Sequence, residues 1–358
     1  MTNFKNILIV RTDRMGDVVL TTPVFKVLRK AYPQSRISVL VQAKNKDLLL
    51  GNPYVDELII YDREGKHSSI IKCAPLVWEL YQKKFDCAII FHTKMRSNTL
   101  CFLAGIPCRI GYKNKKFECL LTHGIEDTKH LGLKHEVEYC LDILRAMNIP
   151  VSEERELFIP LQPKAEQWMS NWLSGRYDPE HNRLVVIHPG ASSPTKCWPA
   201  RSFARLINCL LERYAVKIVL IGGKENQKIS KEITSQVSRP VYDLTGCTSV
   251  AQTASLLKRS DLLISNDSGP VHVAAAAGTH VISLFLRDQP GINPQRWKPL
   301  GQKSYALMNK PQEAIRLNGS GQVEQGSFDS ISVHEVVDLV EQIFGKELSL
   351  FNTNCLAG

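Results

Sequence analysis

Four short stretches of the 358-residue chain hold residue types that could do chemistry, and each directly follows an apolar run. The first is Arg11-Thr12-Asp13-Arg14-Met15-Gly16-Asp17. Polar residues just past a strand of an open parallel sheet face the crevice where ligands bind. Asp17, ahead of Val18-Val19-Leu20, reads either as a helix cap or first-turn residue or as a general base at the mouth of that crevice. The stretch holds one glycine, so the G-x-G-x-x-G fingerprint is missing and a nicotinamide or flavin cofactor is disfavoured. The second runs from His188-Pro189-Gly190 through Ala191, Ser192, Ser193, Pro194 and Thr195 to Lys196-Cys197-Trp198-Pro199. Its small and hydroxyl residues let backbone N–H groups approach an anion, and Lys196 adds a point charge suited to a diphosphate. An ordinary Gly/Pro/Ser loop is the other reading. It is not a Walker loop, because G-K-[ST] is missing.

The third stretch is Asn266-Asp267-Ser268-Gly269-Pro270-Val271-His272, running into an alanine-rich helix. Ser268 and the N–H of Gly269 at the helix start make a natural phosphate site. Asp267 would repel phosphate, so it is expected to accept hydrogen bonds from a sugar hydroxyl or from backbone. His272, in the first helical turn, reads either as structural or as catalytic. The fourth is Gly222-Gly223-Lys224-Glu225, where Glu225 can accept from ribose hydroxyls, a role acidic residues play at nucleotide sites.

The elements that must position these residues alternate as short apolar strands and helical patterns, the mark of parallel α/β units. Expected strands in the first half are Ile7–Val10, Ile37–Val41, Leu58–Tyr61 and Cys87–Phe91; in the second, Leu184–His188, Val216–Ile221, Leu262–Ser265 and Val281–Leu284. Between the first two, Val24, Val27, Leu28 and Ala31 fall at helical spacing, with Thr22 expected as N-cap and Pro23 as the first helical residue. Phe203, Leu206, Ile207, Leu210 and Leu211 mark a second amphipathic helix, and Val333, Val336, Val337, Val340, Ile343 and Phe344 a last one. The join between halves is expected within Ile149–Asn182, where prolines punctuate polar sequence around a short helix. The polar, Gly-rich segment Gln302–Ser330 reads as an extended surface loop.

Composition narrows the partners. With 44% hydrophobic and 22% charged residues the chain is of globular type. No apolar run reaches the roughly 18–20 residues of a membrane span. The short run Asn6–Val10, followed at once by charged residues, does not read as a secretory leader, and the expected location is the cytoplasm. The ten cysteines form no C-x-x-C pair and read as small buried hydrophobes; no Cys/His spacing matches a zinc template, so no metal is expected. The net charge of +10 suits nucleic acid, an anionic membrane surface or phosphorylated small molecules. It is spread out, the densest piece being Arg109–Lys116.

Taken together these segments resemble the heptosyltransferase family, glycosyltransferase family 9. The resemblance rests on R-T-D-R-M-G-D-V-V-L-T-T-P after the first strand, on N-P-Y-V-D-E (Asn52–Glu57) and on R-I-G-Y (Arg109–Tyr112). It continues through H-P-G-A-S-S-P-T-K-C-W-P, G-G-K-E and N-D-S-G-P-V-H, in matching order from Ile7 to Leu284. It implies the α/β GT-B architecture, two Rossmann-like parallel-sheet domains facing a central cleft. Residues 1–160 would bind the acceptor, with the last helix (333–346) packing back on them, and residues 161–332 would bind the donor. It implies transfer of a heptose from an ADP-activated donor to an anionic lipopolysaccharide-core acceptor, with inversion and without cofactor or metal. Asp17 would be the base. Lys196 would face the donor diphosphate with Ser192 near it, Glu225 would hold the ribose, and Asp267, Ser268, Gly269 and His272 would line the diphosphate–sugar region. An acidic glycolipid acceptor gives the positive charge a purpose, with Arg11, Arg14, Lys94, Arg96 and Lys113 as expected contacts or else solvated surface charges. Peripheral contact with the inner face of the membrane fits the same picture.

One departure stands out. The family commonly turns after the strand Val281–Leu284 with a Gly-Pro-Thr type sequence, whereas this chain has Phe285-Leu286-Arg287-Asp288-Gln289-Pro290. Two rival readings remain at this level. A sugar-nucleotide epimerase of the same architecture would need no acceptor. A basic nucleic-acid-binding protein would explain the charge but not the paired loops, and a recognition motif for nucleic acid is missing.

Overall fold

The structure, a computed structural model, describes residues 4–92, 94–115, 117–151, 153, 155–308 and 331–354. The chain divides into two compact units, 1–167 with 295–300, and 168–294 with 301–358, so the division falls inside a helix close to the expected join. The first unit carries strands β1 (Asn6–Arg11), β2 (Arg36–Gln42), β3 (Glu57–Tyr61), β4 (Cys87–Ile90), β5 (Cys108–Lys113) and β6 (His123–Glu126). The second carries β7 (Arg183–His188), β8 (Val216–Leu220), β9 (Tyr242–Asp243), β10 (Leu262–Asn266), β11 (His280–Phe285) and β12 (Ser304–Met308). The helices in chain order are α1 (Met15–Ala31), α2 (Ala74–Gln82), α3 (Met95–Leu103), α4 (Glu136–Ala146), α5 (Pro163–Leu173) and α6 (Ala200–Arg213). They continue as α7 (Gln227–Thr234), α8 (Val250–Lys258), α9 (Gly269–Ala277), α10 (Pro294–Trp297) and α11 (Val333–Asn354).

Both sheets are fully parallel, with strand orders β3-β2-β1-β4-β5-β6 and β12-β11-β10-β7-β8-β9. This is the Rossmann-like α/β architecture of the GT-B class. Ile7–Val10 and Leu184–Ile187 are buried on both faces, which is why those strands read as unbroken apolar runs and not as alternating ones. Each order reverses beside the first strand of its half, between β1 and β4 and between β7 and β10. A reversal leaves a crevice at the carboxyl ends of the strands. It is there that Arg11–Asp17, His188–Pro199 and Asn266–His272 emerge.

Helix α1 begins at Met15 with Arg14 as its cap, eight residues earlier than the expected Thr22–Pro23 start. Pro23 lies inside the helix, and its missing N–H should leave the Val19 carbonyl unsatisfied. The Thr22 hydroxyl donates to that carbonyl at 2.7 Å, so the helix continues. The Thr21 hydroxyl donates likewise to the Asp17 carbonyl at 2.8 Å.

A further expectation is corrected. Ser304–Met308, placed by sequence in a surface loop, is the edge strand β12, paired with β11; residues 309–330 of that loop lie outside the described residues. The last helix packs Val336, Val337, Val340, Ile343 and Phe344 into the second unit's core, against the apolar face of α6. Its stripe matches the one α6 offers at Phe203, Leu206, Ile207 and Leu210. Among the described cysteines none is in a disulfide; Cys73, Cys87, Cys101 and Cys140 are buried as expected, while Cys119 and Cys247 are exposed.

Candidate active site

Asp17 is the third residue of α1, in the first turn, and its side chain is 16% exposed. Beneath it Arg11, at the end of β1 and 1% exposed, donates from Nε to the Asp17 carbonyl (3.0 Å) and from Nη2 to its carboxylate (3.2 Å). The same guanidinium lies 3.3 Å from Asp13 Oδ1 and 3.3 Å from Glu136 Oε1. Glu136, the first residue of α4 and also buried, receives Arg296 of α10 on its other oxygen, at 2.8 Å from Nη2 and 3.0 Å from Nε. Lys129 Nζ stands 3.6 Å from it and 4.3 Å above the ring of Tyr112. Three carboxylates and three cations are thus knitted together within the first unit.

The electrostatics single out Asp17. Burial, joined by repulsion from Asp13, outweighs Arg11 and pushes the Asp17 carboxyl up to about 7. Burial also raises Asp13 against the pull of Arg11. For Glu136 burial acts upward, but Lys129, Arg11 and Arg296 together hold it at about 2, so it stays ionised. His92, which follows β4 and lies 3.3 Å from the Thr12 hydroxyl, is pushed down to about 4 by burial and by Arg11 and Lys94. An ionised Glu136 and a neutral His92 leave Asp17 as a group that titrates near neutral pH, as a proton acceptor must.

The five expected acceptor contacts divide. Arg14, Lys94 and Lys113 are exposed, following β1, following β4 and ending β5. Arg11 is corrected: it is buried and committed to carboxylates, and so supports Asp17 from below. Arg96 binds the Tyr61 hydroxyl (2.9 Å) and the carbonyls of His67 (3.3 Å) and Ser68 (3.2 Å), which pins the loop after β3.

In the second unit the loops after β7, β8 and β10 converge. Lys196 pairs with the Asp267 carboxylate, the two side chains being 16% and 10% exposed. Asp267 N–H donates to the Leu284 carbonyl at 3.0 Å, which fixes its backbone. Ser268 precedes α9 as its cap residue without using its side chain as a cap. Its hydroxyl lies 3.1 Å from His188 Nδ1 and 3.0 Å from the Ser265 hydroxyl. Burial lowers His188 to about 4, so a neutral ring orients Ser268. Asn266 ties the two loops together, accepting from Trp198 N–H (2.9 Å) and donating to the Pro189 carbonyl (2.7 Å).

Gly190 gives room where this loop meets the one after β8, since a Cβ there would stand 2.3 Å from Asn226 Nδ2 and displace that side chain. Asn226 in turn accepts from the Gly223 N–H at 3.1 Å. Glu225 is exposed, with its carboxylate beside Gly223. Ser192 is exposed, Gly269 opens α9, and His272 is buried in the first turn of that helix. Lys196, Asp267 and Ser268 are therefore neighbours, and Gly269 adjoins them. Sequence reasoning gave no role to Glu136, Lys129, Arg296, His92 or Asn226. Among the described residues one exposed trio, Asp178, Glu180 and His181, has the spacing to hold a metal. It precedes β7, at the sheet edge opposite the lysine loop.

A model of glycosyltransferase family 9 (heptosyltransferase) matches residues 74–323, well over half the chain. Lipopolysaccharide heptosyltransferase 2 of Escherichia coli K12 is 25% identical over 356 residues, covering 96% of this chain and 97% of that protein. Lipopolysaccharide heptosyltransferase 3 of Escherichia coli is 28% identical over 284 residues, covering 75% and 80%. Among solved structures, a family 9 glycosyl transferase from Veillonella parvula superposes with TM-score 0.84 at 26% identity, covering 96% of this chain and 98% of that one. E. coli ADP-heptose LPS heptosyltransferase II shares the fold, with TM-score 0.75 at 22% identity, covering 96% and 99%. With sheets, switch-point loops and family match in agreement, the chain belongs to glycosyltransferase family 9, the heptosyltransferases, and is a glycosyltransferase.

Proposed function

We propose that the enzyme transfers a heptose from an ADP-activated donor to an anionic lipopolysaccharide-core acceptor, with inversion at the anomeric carbon and without a metal. The observation that carries the reading is Asp17, a carboxyl held near neutral pKa by burial and Asp13, with Arg11 fixing its position. In the transfer step Asp17 takes the proton of an acceptor hydroxyl as that oxygen bonds to the anomeric carbon. The bond from this carbon to the diphosphate oxygen breaks, and its electron pair leaves with ADP. Attack from the face opposite the leaving group inverts the centre. The departing charge is met by Lys196, the hydroxyls of Ser192 and Ser268, and the N–H of Gly269 at the start of α9. Glu225 takes the ribose hydroxyls, and Asp267 and His272 line the diphosphate–sugar region. Arg14, Lys94 and Lys113 supply exposed positive charge for phosphates of the acceptor.

The similarity to lipopolysaccharide heptosyltransferase 2 and to ADP-heptose LPS heptosyltransferase II of E. coli supports both the sugar and the ADP donor. A panel of ADP-, GDP- and UDP-sugars, run with and without lipopolysaccharide-core acceptors, tests the reading. The expected outcome is acceptor-dependent turnover of ADP-heptose to a product of inverted configuration. Turnover without any acceptor would point instead to epimerisation, and use of UDP- or GDP-sugars alone would overturn the donor.

A further inference from the structure

Every exposed large hydrophobic side chain among the described residues, Met308 apart, belongs to the first unit. Seven of them sit on α2, α3 and the short segments flanking these helices: Ile70 (49% exposed), Ile71 (86%), Trp78 (59%), Tyr81 (54%), Met95 (41%), Phe102 (48%) and Leu103 (53%). Helix α2 is apolar on two sides. Leu76 and Leu80, with Cys73 just before the helix, face the core, while Trp78 and Tyr81, three residues apart, stand in solvent on another side, with Ile71 exposed in the turn that precedes the helix. A helix apolar on both sides is expected to be covered on both, and a continuous exposed patch marks an interaction surface. Continuity is visible: the Trp78 and Tyr81 rings stack at 5.5 Å, and Tyr81 lies 3.7 Å from where Gly105, just past α3, would carry a Cβ.

The charge around the patch says what covers it. Residues 63–103 contain seven Lys/Arg against three Asp/Glu, and Lys66, Lys72 and Lys84 are exposed. Tryptophan and tyrosine beside isoleucine, fringed by lysine, suit the boundary between lipid headgroups and acyl chains. A two-fold contact with a second copy would press this positive surface against itself. The patch is also well placed for the reaction. In a parallel α/β unit the chain enters α2 from the carboxyl edge of the sheet, so Ile70 and Ile71 lie at the edge that carries Asp17.

We infer that the α2–α3 face of the first unit is a docking surface for an anionic lipid bilayer. The inference rests on the proposed function only for its purpose, bringing the site to a lipid-linked acceptor. It is tested by co-sedimenting the full chain, without donor or acceptor, with vesicles of phosphatidylglycerol and phosphatidylethanolamine and with vesicles of phosphatidylcholine. The wild type should bind the anionic vesicles, lose binding as salt rises, and bind phosphatidylcholine weakly. The triple variant Ile71→Ser, Trp78→Ser, Tyr81→Ser should bind roughly tenfold or more weakly. It should keep its melting temperature and its transfer to a delipidated acceptor, since none of the three belongs to the catalytic machinery. The pair Lys72→Glu and Lys84→Glu, which leaves the apolar patch intact, should weaken binding to anionic vesicles alone. Unchanged vesicle binding in both variants, or no binding by the wild type, overturns the inference. So does a wild-type dimer that the triple variant dissolves while vesicle binding persists. Because sugar transfer is read separately, either conclusion can fail while the other stands.

Discussion

At the scale of residues the Asp17 network makes the sharpest demands. Asp17→Asn keeps the shape and removes the proton acceptor, so turnover should fall by about 10²–10⁴-fold while donor affinity stays close to normal. For the wild type, Asp17 at about 7 means that its ionised form, the active one, grows as pH rises through neutrality. The turnover number should therefore climb with pH to a plateau above about 8. The linkage runs the other way: a carboxyl whose folded pKa lies above its unfolded value costs stability as pH rises from about 4 to about 7. Asp17→Asn removes that cost, so thermal melts above neutral pH should show the variant no less stable than the wild type. A lower melting temperature there would assign Asp17 a structural role. Glu136→Gln should act through Arg11. With its charge gone, Arg11 is left to Asp13 and Asp17, and the other charged or titratable groups acting on Asp17 are Lys129 and His92. The acid limb of the pH–rate profile should move to lower pH, a shift that a merely structural residue would not cause. Lys196→Ala should weaken ADP binding, measured by calorimetry, by roughly ten- to a hundredfold, the scale of a hydrogen bond to a charged group. Unchanged affinity would remove Lys196 from the diphosphate site.

At the scale of elements, the second unit's site depends on how its loop is pinned. Trp198, two residues past Lys196, is 1% exposed, donates from Nε1 to the Ile331 carbonyl at 2.9 Å and meets Phe203 edge-on. Trp198→Phe leaves that carbonyl unsatisfied and a gap beside Phe203, so it should cost about 1–3 kcal/mol of stability in denaturant unfolding. It should also loosen Lys196, with ADP affinity falling alongside. The strands flanking these loops were legible because strands covered on both faces read as apolar runs, as Ile7–Val10 and Leu184–Ile187 do. Strand β5 was not: Arg109, Gly111 and Lys113 break the apolar pattern of Cys108–Lys113, and only pairing with β4 and β6 makes it a strand. The early start of α1 was hidden for a related reason. Proline after threonine reads as a helix opening, and the Thr22-to-Val19 bond that lets the helix run through Pro23 has no signature in residue order. Lys196, Asp267 and Ser268 were each named from sequence, as members of loops that leave neighbouring strands. Glu136 was not, since 125 positions separate it from Arg11 and nothing local distinguishes an Asp or Glu that opens a helix from an ordinary first-turn residue.

At the scale of the molecule, the two units divide the chemistry by charge. The first concentrates ionisable groups below Asp17 and leaves Arg14, Lys94 and Lys113 exposed at the carboxyl edge of its sheet. The second offers Lys196, two serine hydroxyls and the start of α9 at the corresponding edge of its own. No described helix is long and apolar enough to cross a membrane. A diphosphate leaving group needs counter-charge from somewhere, and a divalent ion bound by carboxylates is the usual alternative to protein cations. Here Asp267, the carboxylate nearest the expected diphosphate, is already paired with Lys196. A divalent ion at that position would meet an ammonium at hydrogen-bonding range. The exposed trio Asp178, Glu180 and His181, at the opposite sheet edge, is too remote to touch the leaving group. Excess chelator should therefore leave the initial rate of ADP-heptose transfer unchanged, and added Mg²⁺ or Mn²⁺ should not raise it. A rate that collapses with chelator and returns with either ion would mean that a cation displaces Lys196 from Asp267 in the working complex, and the assignment of Lys196 to the diphosphate would have to be withdrawn.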